Sequence, residues 1–82
     1  MNQELHLQDA FLTVARRENI PLTIFLVNGF QIRATVRAFD GFTVLVSGES
    51  DGRQQLIYKH AISTMAPMRA IRLEPPERGK DT

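Results

Sequence analysis

Between Ile20 and Phe39 the chain repeats with a period of two, and the repeat is broken once, by Asn28-Gly29. The even positions Ile20, Leu22, Ile24 and Leu26 form one apolar face, and Phe30, Ile32, Ala34, Val36 and Ala38 continue it beyond the break. On the second run the odd positions Gln31, Arg33, Thr35 and Arg37 are polar. Successive side chains on a strand point to opposite faces, so this pattern describes two strands, each buried on one side. Asn-Gly between two such runs is a strong hairpin signal. The small Ala34 and Ala38 let the longer strand bend sharply, as closing a small barrel requires.

The rest of the chain is placed around this hairpin. Residues 7–19 show Leu7, Phe11 and Val14 or Ala15 at helical spacing, with Leu12 on the flank of the stripe. Asp9 suits the start of a helix, Arg16 and Arg17 suit its last turn, and Asn19 followed by Pro21 supplies the stop. A turn at Asp40-Gly41 leads to a strand over 42–47, and the polar loop 48–53 to a fourth strand over 54–60. A short fifth strand, 61–66, ends before Pro67. The expected domain covers 7–67, between a flexible start (1–6) and a tail (68–82) whose Pro-Pro, Gly and mixed charges predict disorder. The expected fold is mainly β with one N-terminal helix. Five strands in so short a chain leave open edges, and the weakly charged fourth and fifth strands suit edge-to-edge pairing into a ring or a larger sheet.

Composition narrows the functions available. Eighty-two residues make one small domain, marginal alone and helped by oligomerisation. Without cysteine there are no disulfides or thiolate metal sites, and the cytosol is the expected compartment. No run reaches the ~18 apolar residues of a membrane span, and the first residues lack the features of a signal peptide. The six basic and six acidic residues of 1–66 cancel, so anion binding must rest on local placement. His6 and His60 are not at metal-ligand spacing, and no phosphate loop or carboxylate pair is present. A hydrolase would have to be built from His60 with Ser63 or Thr64 and Asp40, a poor arrangement on one strand. No enzyme, cofactor or small-molecule substrate is expected.

Three clusters could bind a ligand. Lys59-His60 offers a mobile cation beside an imidazole, and Phe42 next to Gly41 leaves room for a flat base against its ring. The bland alternatives are a solvated strand residue, a turn histidine and a core phenylalanine. Phe25 is out of phase with the core-facing positions, and Phe30 starts the next strand beside Gly29, with Gln31 and Arg33 close behind. A base pocket and a cross-strand aromatic pair fit that pattern equally. Arg16-Arg17 beside Glu18 is either a solvated helix face or a contact for a phosphate backbone.

Taken together, 7-LQDAFL-12, 16-RRE-18, 26-LVNGFQI-32, 39-FDGF-42 and above all 58-YKHAIST-64 resemble the Hfq family of bacterial Sm-like RNA chaperones. The resemblance runs from about Leu7 to Pro67. It implies a helix on a strongly bent five-stranded antiparallel barrel, assembled as a homohexameric ring that pairs small regulatory RNAs with messenger RNAs. It also implies three RNA surfaces. U-rich ends would meet Gln8, Gly41, Phe42, Lys59 and His60 on the proximal face. A-rich RNA would meet Phe25, Leu26, Gly29, Phe30, Gln31, Ile32, Arg33 and Thr64 on the distal face. Arg16 and Arg17 would contact RNA bodies at the rim. The alternative is the same barrel as a protein–protein assembly module without annealing activity.

The chain departs from the family pattern at several positions. Thr13 and Asn19 stand where strongly annealing relatives carry Asn and a basic residue, which leaves two arginines on the rim. Gly41 replaces the Gln or Lys of many relatives, and Phe25 and Phe30 replace the Tyr and Ile of the enterobacterial pattern, as in Gram-positive relatives. The loop 48–53 is longer than the commonest form.

Overall fold

The structure is a computed structural model that describes residues 6–73. One helix, α1 (His6–Arg17), precedes five strands: β1 (Leu22–Leu26), β2 (Gln31–Phe39), β3 (Thr43–Gly48), β4 (Gln54–Tyr58) and β5 (Ile62–Pro67). They form one antiparallel sheet in the order β4-β3-β2-β1-β5, so β4 and β5 are its two edges. The mainly β architecture with a leading helix is as the sequence predicts.

Helix α1 packs on β2. Its buried stripe centres on Leu12 and Ala15, both fully inaccessible, whereas Leu7 is exposed. The stripe is therefore rotated from the expected Leu7-Phe11 line, and Leu12 is its centre instead of its flank. The helix ends in a Schellman arrangement. Ile20 donates its N–H to the Ala15 carbonyl (2.9 Å) and Asn19 to that of Arg16 (3.3 Å), with Asn19 left-handed at φ 53°. Buried Ile20 then carries the chain under the helix into β1.

The Asn28-Gly29 hairpin forms, with a three-residue loop. Gly29 donates to the Leu26 carbonyl and Leu26 to that of Phe30, both at 2.9 Å, and Gly29 takes φ 97°. A turn closed by a left-handed glycine is the usual three-residue solution. The Asn28 side-chain oxygen accepts the Phe30 N–H at 3.0 Å.

Leu22, Ile24, Ala34 and Val36 follow the predicted alternation into the core, where they meet Val44, Val46 and Ile57. The alternation then fails. A bulge between Val36 and Ala38 inserts an extra residue opposite β3, so Ala38 is exposed and Phe39 turns toward the core. A bulge bends the strand that carries it, so the bend of β2 comes from here as well as from small residues.

Two further boundaries differ from expectation. The fourth strand ends at Tyr58, and Lys59–Ala61 form a turn of 3-10 helix. The expected tail begins with docked residues: Met68 donates to the Pro21 carbonyl at 2.9 Å, and Ile71 packs against the core. The remainder of that tail (74–82) and the start (1–5) lie outside the described residues. Among the described residues no helix is long and apolar enough to cross a membrane.

Candidate functional site

The turn between β2 and β3 is organised by one carboxylate. Asp40 Oδ1 accepts from the Phe42 N–H (2.9 Å), the Thr43 N–H (2.8 Å) and the Thr43 hydroxyl (2.8 Å). These bonds favour the ionised form and hold the Asp40 carboxyl below its ordinary value of 3.8, the Phe42 bond contributing most and the Lys59 charge least. The turn thrusts Phe42 outward, where its side chain is 81% exposed. Gly41 faces open space: a Cβ built there meets nothing within 4 Å.

Lys59 sits beside this turn because its backbone N–H donates to the Phe42 carbonyl at 2.8 Å. The 3-10 turn, and not a strand, directs its side chain, whose Nζ lies 5.7 Å from the centroid of the Phe39 ring. His60 is exposed and stacks on Tyr58, with centroids 5.7 Å apart and planes 12° apart. Gln8 of α1 shares with Lys59 a cavity of about 140 Å³, also lined by Ile62, Ser63, Thr64 and Met65. Lys59 is thus linked to Phe42 through the backbone and to Gln8 through the shared cavity, whereas Gly41 and His60 join these residues only as chain neighbours of Phe42 and Lys59.

Sheet register sorts the second group. Phe25 stands opposite Gln31 on one side and Thr64 on the other, and Thr23 opposite Arg33 and Ala66. Thr64, Phe25 and Gln31 therefore form one row across β5, β1 and β2, and Arg33 lies in the next. Leu26 and Ile32 are half-buried and pack against the core. Gly29 and Phe30 lie at the hairpin, with the Phe30 side chain 69% exposed. Thr64 also lines the cavity with Gln8 and Lys59, so it borders both groups. Arg33 is paired with Glu49 at 3.6 Å.

On the helix, Arg16 and Arg17 are exposed. Arg17 lies 3.6 Å from Glu18, and the Arg16 guanidinium lies 5.9 Å from the Phe39 centroid. Phe39 is thus flanked by two cations within cation–π range. The sequence signal that marks Phe39 is its odd position in an even-apolar strand. Neither it nor Tyr58, the platform for His60, is among the binding residues expected from sequence.

A leading helix on a bent five-stranded antiparallel sheet, with open edges and rings displayed beside cations, is an Sm-like module. The model of the Hfq protein family matches residues 7–72. The RNA-binding protein Hfq of Desulforudis audaxviator is 60% identical over 68 residues, 83% of this chain and 80% of that protein. The protein of the same name from Brevibacillus brevis is 50% identical over 80 residues, 98% of this chain and 99% of that one. A crystal structure of the pleiotropic translational regulator Hfq superposes with a TM-score of 0.69 at 37% identity, covering 73% of this chain and 97% of that one. The chain belongs to the Hfq family.

Proposed function

We propose that this chain is an RNA chaperone. It forms a homohexameric ring in the cytoplasm, binds small regulatory RNAs and messenger RNAs, and promotes their pairing without covalent chemistry. The observation that carries this is the Phe42–Lys59 bond. It sets an exposed phenylalanine beside a basic residue in the backbone, and a ring with a cation near it stacks a base and neutralises its phosphate. U-rich RNA takes Gln8, Gly41, Phe42, Lys59 and His60. A-rich RNA takes the row of Phe25, Gln31 and Thr64 with Gly29, Phe30 and Arg33, and Leu26 and Ile32 support these from the core side.

Ring assembly is supported by the sheet order, which leaves β4 and β5 free at opposite edges, with Leu56 and Tyr58 exposed on β4. Repetition around a ring raises the local concentration of two bound RNAs, and basic contacts screen their phosphates. Asp40 is committed to the Phe42 turn by its hydrogen bonds, which leaves a His60-Ser63 hydrolase without its third member. Titration of the ring with uridine-rich and adenine-rich oligonucleotides at moderate salt tests the proposal. Saturable binding of both is expected, and an intact ring that binds neither refutes it.

A further inference from the structure

The segment after β5 carries two arginines that none of the three groups includes. Its backbone is fixed by the bond from Met68 to Pro21 and by the packing of Ile71. Arg69 donates from its guanidinium to the Glu18 carbonyl at 3.2 Å, at the C-terminal end of α1. Free carbonyls and the negative end of the helix dipole favour a cation there. Arg72 and Leu73 then face α1 across a cavity of about 440 Å³, whose helical wall includes Thr13, Val14, Arg17 and Glu18. A second arginine, Arg72, therefore lines the same cavity as Arg17, with apolar lining at Val14 and Leu73.

The chemistry of this cleft selects its ligand. Guanidinium forks match phosphate oxygens bidentately, and two arginines lining one cleft suit a chain of phosphates. Glu18 is the opposing charge, but its contact with Arg17 is long, and both side chains are about half exposed or more. Such a pair is weak and exchanges readily for a phosphate. The cleft is of a size to accept a sugar with its phosphate.

We propose that Arg72 and Arg17 clamp the sugar-phosphate backbone of RNA crossing the rim, with Arg69 anchoring the segment that positions Arg72. The inference rests on the RNA-binding function proposed above. It goes further by assigning the segment after β5 a part in that binding.

The test uses the full chain as its assembled ring and two probes, a uridine-tailed stem-loop and a bare uridine hexanucleotide. Arg72→Ala is expected to weaken stem-loop binding roughly three- to tenfold and to flatten its salt dependence by about 0.7–0.9 per lost phosphate contact. The hexanucleotide should be unaffected, Arg72→Lys should restore the salt slope, and Arg72→Glu should weaken the stem-loop further. Unchanged stem-loop affinity and slope in Arg72→Ala and Arg72→Glu, with the hexanucleotide still bound, overturn the rim clamp and leave RNA binding standing. Failure of the unsubstituted ring to bind either probe overturns both.

Discussion

Lys59 donates its backbone N–H to the Phe42 carbonyl across 2.8 Å, so the main chain sets a basic residue beside an exposed phenylalanine. Removing either side chain leaves that bond in place. Lys59→Ala and His60→Ala should therefore keep the fold and weaken U-rich RNA by about tenfold, equivalent to about 1.4 kcal/mol. Binding of A-rich RNA should be nearly unchanged. Fluorescence titration with both oligonucleotides measures this, and equal losses for the two ligands would count against separate surfaces.

Phe30→Ala should do the reverse. Its ring is exposed at the hairpin, and stacking a base on such a ring contributes about 1–3 kcal/mol. Loss of A-rich binding with U-rich binding retained is the expected outcome. Retained A-rich affinity would place the stacking elsewhere, with Phe25 the next candidate.

Asp40 should titrate below 3.8, because its hydrogen bonds stabilise the carboxylate in the folded chain. A lowered pKa stabilises the fold above the ordinary carboxylate range, and that contribution is lost as pH falls through the lower folded value. The Phe42 turn is thus fully held at neutral pH and loosens only in acid. NMR titration of the Asp40 carboxyl carbon reports the midpoint, and a value at or above 3.8 contradicts this account. Asp40→Ala should reduce U-rich binding through disorder of Phe42, with Asp40→Asn intermediate because it retains one acceptor oxygen.

Asn19 has a structural role at the end of α1. It occupies the left-handed position that closes α1, at φ 53°. Asn19→Gly should be nearly neutral, whereas a β-branched Asn19→Val should cost about 1–2 kcal/mol. Urea denaturation at fixed protomer concentration distinguishes the two, and equal stability of Val and Gly variants would contradict the cap.

Much of this architecture is legible in the sequence because it depends on local rules. Asn28-Gly29 marks the hairpin, and the even positions mark the buried face at Ile20, Leu22, Ile24, Ala34 and Val36, but not at Phe30, which the hairpin leaves exposed. The errors arise where tertiary structure overrides periodicity. Nothing local announces the bulge that moves Phe39 inward and Ala38 outward, since the extra residue is defined only by its partner on β3. Lys59-His60 fit a strand by composition, yet the chain must turn there to carry β5 from one edge of the sheet to the other, beside β1. The residue types of the three candidate clusters are legible in the sequence. Joining Arg16 to Lys59 through Phe39 required the fold.

The measurement that tests the whole account most directly is native mass spectrometry with a uridine-rich and an adenine-rich oligonucleotide, added singly and together. A ring of six protomers that carries both ligands at once, neither displacing the other, is the predicted result. A monomeric mass, or mutual displacement of the two RNAs from an intact ring, would contradict it.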